Sequence, residues 1–271
     1  MSRAWIIVFL ITVLLMEIMW SLKVGVVTLS FHDLFAESAV SPVLWNIRLP
    51  RTLACLTVGM GLGFCGHVLQ TLLHNALAEP FTLGISGGGV LGATIAALLP
   101  WSTSLPLGAF MGCLTIAALI MLVSHTAWAG QPSTLLLSGV VLSSICGATV
   151  IFLTSWLRPE KGSEFLNFLI GQVGTHRDAY WPMLFLLLVA AGLWLYNRAH
   201  VLDQFLLSED FARNQGTDTK TFRTEVIVIT SLMVAVSVAI AGIIGFIGLL
   251  TPHMGRWLSR TSLHRWAVPT S

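Results

Sequence analysis

Long apolar runs are the feature of this sequence that most restricts its fold. Hydrophobic residues make up 55% of the 271 residues and charged residues only 10%, whereas an ordinary soluble domain has about 25% charged residues. A helix needs roughly 20 apolar residues to cross a ~30 Å hydrocarbon core, where every backbone polar group must be hydrogen-bonded within the protein. The sequence therefore predicts an all-α polytopic membrane helical bundle, with residues 1–271 forming a single transmembrane domain. The candidate spans, about eight in number, are Trp5–Leu22, Thr52–Leu73, Leu83–Leu99, Leu105–Trp128, Thr134–Leu157, Ala179–Tyr196, Val226–Ile244 and the shorter Phe246–Leu258.

The stretch Arg48–Gly89 is the most informative part of the chain. Its apolar run carries four glycines between positions 59 and 66, and the next run begins with Gly84 and a glycine triplet at 87–89. Glycine costs about 1 kcal/mol in a helix interior relative to alanine, so repeated glycines are not expected in a helix that only anchors a protein in lipid. The first of these helices is therefore expected to pack closely against protein or to line a path. Arg48 and Arg51 enclose a Leu-Pro pair that is expected to be extended.

A second broken element is predicted at Ala241–Arg256. Gly242, Gly245 and Gly248 recur at a spacing of three and are followed by Pro252. Irregular backbone at membrane depth is tolerated only where protein buries it or where it lines a cavity. On these residues alone, a kinked packing helix and a segment of a pathway are both open.

Positive charges give a weak signal for orientation. With the N-terminus in the cytoplasm, eight of the 14 Lys and Arg residues fall inside and six outside. The presence of cations on the outer side, which include Arg48 and Arg51, then has to be explained, and binding to a docking partner is one explanation.

Two connections between spans are too long to be simple turns. Arg158–Asp178 is expected on the outer face, with Phe165–Ile170 as an interfacial helix, and Asn197–Arg223 is expected on the inner face. In the inner connection Ser208 is expected to cap a short helix that Gly216 ends. Apolar residues set among charges there favour a partner-binding helix over a solvated connector: Leu206, Leu207 and Phe211.

Several classes of function lack their sequence signals. The chain has no G-x-x-x-x-G-K-[S/T] motif and no basic patch with interleaved aromatics, so ATP is expected on a separate subunit and nucleic acid is not a predicted partner. The eight histidines have no i, i+3 or i+4 pairing, and no nucleophile and base can be matched, so neither a metal site nor an enzyme is predicted. The four cysteines lie in apolar runs and are expected to be small buried hydrophobes: Cys55, Cys65, Cys113 and Cys146.

Ordered motifs give the chain a specific resemblance. They are R-L-P-R-T-L-A at 48–54, G-H-V-L-Q at 66–70, N-A-L-A-E-P at 75–80, L-G-I-S-G-G at 83–88, L-S-E-D-F-A-R-N-Q-G at 207–216 and G-F-I-G-L-L-T-P-H-M-G-R at 245–256. Together they resemble the consecutive signatures of the FecCD family, the membrane permeases of ATP-binding-cassette (ABC) importers for iron-siderophores, haem and cobalamin. The resemblance covers essentially the whole chain from Arg48 onward.

The resemblance implies a type II ABC importer permease and a role for each motif. Arg48 and Arg51 are implied to dock glutamates of a periplasmic or lipid-anchored binding protein, where complementary charge fixes register. Coupling to cytoplasmic ATPase subunits is implied for Leu207, Ser208, Glu209, Asp210, Ala212, Arg213 and Gly216. The translocation path or gate is implied for Gln70, Asn75, Leu77, Glu79, Pro80, Gly84, Ser86, Gly87, Gly245, Gly248, Pro252 and His253.

The same resemblance implies a multi-pass protein of the bacterial inner membrane with a cytoplasmic N-terminus. It would work beside a second permease chain, as a homodimer or a heterodimer, and move its cargo by alternating access. No metal or cofactor is expected in this chain, since ATP and magnesium would be bound by the ATPase. The choice among siderophore, haem and cobalamin is open.

Departures from the family pattern bear on activity. Ala76 replaces a usual proline, which is expected to loosen that turn slightly, and Ser208 and Gln215 depart from the coupling motif, although Ser208 can still cap. Family members usually have ten spans, whereas the last one predicted here ends near Leu258. A shortened permease with weak or no transport is therefore expected.

Three alternatives are open. A manganese/zinc-type ABC permease explains the length but not the motifs. An ion-coupled secondary carrier would need intramembrane carboxylates, for which Glu17 alone is a poor candidate. A remnant that binds its partners without transporting cargo is the third.

Overall fold

The computed structural model describes residues 3–25, 41–99, 104–124, 132–173 and 180–259. All regular structure within these ranges is helical. The chain beyond 259, on which the expected shortening depends, lies outside the described residues. The helices are α1 (Arg3–Lys23), α2 (Ser41–Val43), α3 (Leu49–Leu72), α4 (Ile85–Leu98), α5 (Leu105–Ser124), α6 (Pro132–Thr154), α7 (Pro159–Ile170), α8 (Tyr180–Leu207), α9 (Glu209–Asn214), α10 (Thr219–Ala241) and α11 (Ile247–Ser259), with a π-helical turn at Leu44–Arg48.

The long helices divide into a central pair and an outer set. In the apolar 18-residue stretch of α3 and of α10, 67% and 61% of the residues are buried inside the protein, against 22% to 28% in the corresponding stretches of α5, α6 and α8. In the described ranges, five helices are long and apolar enough to cross a membrane. The predicted membrane bundle is thus organised around α3 and α10. The five are Leu44–Leu72, Leu105–Val123, Ser133–Thr154, Pro182–Leu207 and Thr219–Ala241.

Two predicted spans, Leu83–Leu99 and Phe246–Leu258, both begin at a break in the backbone. α4 has 14 residues, and at 1.5 Å per residue it is roughly 20 Å long, short of a ~30 Å core. α11 is described from Ile247 to Ser259, the last described residue. Gly84 has φ of 79° and Phe246 has φ of 67°. Left-handed backbone of this kind cannot continue a right-handed helix, so both helices have to start there.

The extended joint predicted between Arg48 and Arg51 is wrong. Arg48 and Leu49 are both right-handed helical, and Leu49 N–H donates to the carbonyl of Leu44, five residues back, as the last bond of the π-helical turn. Pro50 follows at the first turn of α3, where its missing N–H needs no partner. The arginines therefore lie on a continuous helical segment.

The inner connection is also more helical than predicted. α8 continues to Leu207 rather than ending near Tyr196, and α10 begins at Thr219 rather than near Val226. The Asp218 side chain caps α10 by accepting the N–H groups of Lys220 and Thr221, each at 3.2 Å. A hydrogen bond from the Thr221 hydroxyl, together with these two backbone bonds, holds the pKa of Asp218 below its usual value.

Glycines let α4 and α5 approach until their backbones touch. A Cβ added at Gly92 would lie 2.1 Å from the carbonyl oxygen of Gly108, and one at Gly112 would lie 2.1 Å from that of Gly88. This is the small-x-x-x-small pattern by which membrane helices pack without a hydrophobic driving force between them. In the glycine triplet at 87–89, Gly88 and Gly89 pack against α5, whereas Gly87 faces α6.

Three of the four cysteines are buried as expected, and all four are free thiols. Cys55 is exposed, so the prediction is wrong for that residue. It lies in the first half of α3, before residues 61–72, all of which are buried.

We expect Gly92→Ala to destabilise the protein, because the oxygen that the new Cβ would strike belongs to the α5 backbone. Overpacking of this kind costs roughly 1–3 kcal/mol. The melting temperature of the purified protein in detergent should fall by several degrees. Gly147→Ala on α6 is the matched control, since a Cβ there meets nothing within 4 Å and alanine favours helix. Equal melting temperatures for the two variants would contradict this packing.

Candidate functional site

The two breaks predicted from the sequence meet inside the bundle. A Cβ added at Gly245 would lie 3.7 Å from the ring of Phe81, and one at Gly248 would lie 3.3 Å from Cδ of Pro80. The connection from α3 to α4 therefore packs against the start of α11. Residues from two parts of the chain, separated by up to 186 positions, form one cluster, which we call the break junction: Gln70, Ala76, Glu79, Pro80, Gly245, Gly248, His253 and Arg256.

Glu79 joins the two breaks directly. Its side chain accepts the backbone N–H groups of Phe246 and Leu249 at the start of α11, and the residue is only 8% exposed. The backbone N–H of Glu79 donates to Thr82 Oγ1 at 3.0 Å, and that hydroxyl donates to the Glu79 carbonyl at 2.7 Å. A carboxylate is favourable at a helix N-terminus, where N–H groups are otherwise unpaired. Glu79 thus caps α11 from a different part of the chain.

A second set of side chains ties α11 to α3. Arg256 Nη2 donates to Gln70 Oε1 at 2.7 Å, and Gln70 Nε2 lies 3.4 Å from the carbonyl oxygen of Gly248 and 3.3 Å from that of Leu249. His253 Nε2 lies 3.2 Å from the carbonyl oxygen of Ala76. Arg256 was not among the predicted path residues, although it ends the motif at 245–256.

The approach of α11 to α3 also depends on Gly66. A Cβ at this position would lie 1.8 Å from the carbonyl oxygen of Gly248. Gly66 belongs to the motif at 66–70 but was not among the predicted site residues. Its spacing from other glycines was visible in the sequence, whereas its partner on α11 was not.

The turn that carries Asn75 and Leu77 projects from the break junction. Asn75 Oδ1 accepts the N–H of Leu77 at 2.8 Å, so the asparagine side chain shapes the turn. Leu77 is 65% exposed. The predicted path residues of this turn are therefore accessible at its tip and buried at its base.

Three predicted path residues lie outside the break junction. Gly84, Ser86 and Gly87 are at the start of α4, where Gly84 and Gly87 pack on α6 instead of joining the break junction. A Cβ at Gly84 would lie 2.7 Å from the Gly139 carbonyl oxygen, and Ser86 is 1% exposed. Pro252 is buried within α11.

The predicted coupling segment is the capped short helix that the sequence indicates. Ser208 Oγ accepts the N–H of Phe211 at 3.0 Å, α9 runs from Glu209 to Asn214, and Gly216 has φ of 85°. Leu207, Asp210 and Arg213 face outward, whereas Ala212 is fully buried.

An ion pair fixes α9 to α10. Glu209 accepts a hydrogen bond from Arg223, and their side chains are only 17% and 8% exposed. Arg213 lies 3.6 Å from the other oxygen of Glu209. Among the predicted coupling residues, Glu209 therefore binds Arg223 inside the protein. Leu207, together with its neighbour Phe211, is exposed and offers an apolar surface.

The two predicted docking arginines differ in their surroundings. Arg48 Nη1 donates to the carbonyls of Leu22 at 2.8 Å and Lys23 at 3.0 Å, the last residues of α1. Arg51 is exposed. Both line a groove of about 710 Å³ between α1 and the start of α3. Arg48 thus also holds α1, which the sequence did not indicate.

The arginines and α9 lie at opposite ends of the bundle. Arg48 precedes the first residue of α3, whereas His74, just after its last residue, hydrogen-bonds the Phe205 carbonyl next to the end of α8. The 24 residues of α3 separate these ends by roughly 36 Å. The break junction lies between them, nearer to α9.

Comparisons with known proteins give a consistent result. The profile of the FecCD transport family matches residues 7–271. The chain is 32% identical over 279 residues to the hemin transport system permease protein HmuU of Yersinia pestis, covering 96% of this chain and 80% of that protein. It is 36% identical over 259 residues to the vitamin B12 import system permease protein BtuC of Shigella boydii, covering 94% and 78%.

A solved structure extends the likeness to the fold. A metal-chelate-type ABC transporter in an inward-facing conformation superimposes with a TM-score of 0.85 at 28% sequence identity, covering 99% of this chain and 85% of that one.

We expect Arg223→Met to loosen α9, because Glu209 would lose its buried partner and keep only the longer contact with exposed Arg213. Breaking a buried pair costs about 3–5 kcal/mol. Tryptic cleavage after Arg213 under native conditions should become several-fold faster. Arg198→Met is the control, since Arg198 and Glu225 form a partly exposed pair at 3.4 Å, worth about 0–1 kcal/mol. Equal cleavage rates in the two variants would show that the buried pair does not hold α9.

Proposed function

Because the chain belongs to the FecCD transport family, we propose that it is the membrane permease subunit of an ABC importer in the bacterial inner membrane. The observation that carries the proposal is the arrangement along α3: exposed Arg51 at one end, α9 at the other and the break junction between them. An importer needs these three parts, a surface for the binding protein, a surface for the ATPase and an interrupted path that joins them.

We propose that the cargo is an iron complex, such as a siderophore or haem, or cobalamin. The support is the similarity to a hemin permease and to vitamin B12 permeases. The family match over residues 7–271 favours this class over the manganese/zinc-type permeases.

The break junction is the proposed part of the path, with Asn75 and Leu77 as its inner gate. The start of α11 lies there, packed against the turn that joins α3 to α4, and broken helices whose backbone is buried in protein are the sites where transporters commonly form their pathways. Leu77 is exposed at the tip of the turn and can meet another chain. We therefore propose that a second permease chain, identical or related, faces this turn and completes the path.

The proposed ATPase surface is the outward side of α9. Leu207 is 69% and Phe211 39% exposed beside the carboxylate of Asp210. ATP and magnesium would be bound by the partner subunit, and the N-terminus would lie on the same cytoplasmic side. The Glu209–Arg223 pair would carry a movement of α9 to α10, which is one of the two central helices.

Reconstitution tests the transport function. The chain should be co-purified with its ATPase subunit and binding protein, placed in liposomes and tested for ATP-dependent uptake of haem, cobalamin and a ferric siderophore. Uptake of one cargo supports the proposal and identifies the substrate. Stable binding of the ATPase without uptake of any of them would instead favour a partner-binding protein that does not transport.

Docking can be tested with single charge reversals. Arg51→Glu should weaken capture of the binding protein in a pull-down at low salt, because an exposed cation would face the glutamates of the partner with the wrong sign. Association with the ATPase should be unchanged. Arg158→Glu is the control, an exposed arginine before α7 that lies outside the motif. The docking role is refuted if Arg51→Glu has no effect or if Arg158→Glu weakens capture equally.

A further inference from the structure

We propose that Arg256 is a positioning residue that fastens the 75–80 turn to α11, so that the turn and the helix move as one unit. The inference rests on the proposed function in one respect, that Asn75 and Leu77 of this turn belong to the gate. Arg256 itself lies on α11 and touches neither residue in the contacts described above.

One nitrogen of Arg256 determines the hydrogen bonding of His253. Arg256 Nη2 lies 3.4 Å from His253 Nδ1, and a guanidinium can only donate. Nδ1 must therefore accept, which leaves neutral His253 with its proton on Nε2. That N–H points at the carbonyl oxygen of Ala76, 3.2 Å away. Arg256 thus selects the tautomer that can bind the turn.

The same nitrogen orients Gln70. Because Oε1 of the amide accepts from Arg256 at 2.7 Å, Nε2 faces the carbonyls of Gly248 and Leu249. Gln70 is 5% exposed on the central helix α3. A buried amide that loses its donor pays a desolvation penalty unless it turns. Arg256 therefore connects α11 to α3 as well as to the turn.

A second attachment makes the turn rigid with respect to α11. Glu79 binds the N–H groups of Phe246 and Leu249 at the start of the helix, while Ala76 is bound by His253 further along it. The two attachments are three residues apart in the turn and several residues apart on the helix. Together they prevent the turn from rotating about either attachment. Asn75 and Leu77 flank the residue bound by His253, so a shift of α11 displaces both.

Spin-label mobility tests the restraint without any transport partner. A nitroxide is placed at Leu77→Cys in a Cys55→Ser background, and the full chain is measured in lipid nanodiscs. The label at this exposed tip should show both mobile and immobile components in the parent, and its mobile fraction should rise at least twofold in Arg256→Met. Arg256→Lys, which keeps a donor, should restore most of the immobile component. Arg198→Met, which removes an arginine from a pair outside the break junction, should match the parent.

The tautomer of His253 gives a readout that simple packing would not set. In ¹⁵N-histidine-labelled protein, the His253 resonances, identified by their absence in His253→Asn, should show a protonated Nε2 and a bare Nδ1. A proton on Nδ1 of the parent would overturn the proposal, as would equal label mobility in Arg256→Met and the parent. Neither measurement requires cargo or ATP. Absence of uptake would therefore refute the proposed function and leave this restraint standing.

Discussion

Hydrogen bonds to the N–H groups freed at the start of α11 are the interactions on which the centre of this bundle depends. Between Gly242 and Phe246 the chain leaves helical geometry, and in a hydrocarbon core an unpaired backbone group costs several kcal/mol. Glu79 accepts the N–H groups of Phe246 and Leu249, and the carbonyl of Phe168 at the end of α7 receives the N–H of Ile243 at 3.4 Å. The break is possible because other parts of the chain supply these acceptors.

Close backbone contact is what brings those acceptors within reach. Gly66 lets the start of α11 touch α3, and Gly139 lets the start of α4 touch α6. Membrane helices gain little from burying apolar surface against one another, since lipid is equally apolar, so contact between backbones is a main source of their association. The glycines are therefore a precondition for the polar contacts of the break junction rather than a separate feature.

Charged residues in this protein commonly serve the fold and a surface at once. Arg48 holds the end of α1 and also lines the groove at the N-terminal end of α3, and Glu209 holds Arg223 beneath an exposed helix. Contacts of this kind connect surface residues to the central helices α3 and α10. A movement of α9 would therefore reach the bundle through Arg223 on α10.

Local patterns in the sequence determined the membrane class, the helical state and the capped helix α9, because each depends on residues within a few positions of one another. The family followed from several such local motifs in a fixed order along the chain. The contacts of Glu79, the partner of Gly66 and the role of Arg48 were decided only by tertiary structure. Gln70 and Arg256 are 186 residues apart, and no periodicity or cap relates residues at that separation. The placement of Gly84 and Gly87 against α6 likewise required the packed bundle, since a glycine shows in sequence that something approaches closely but not what it is.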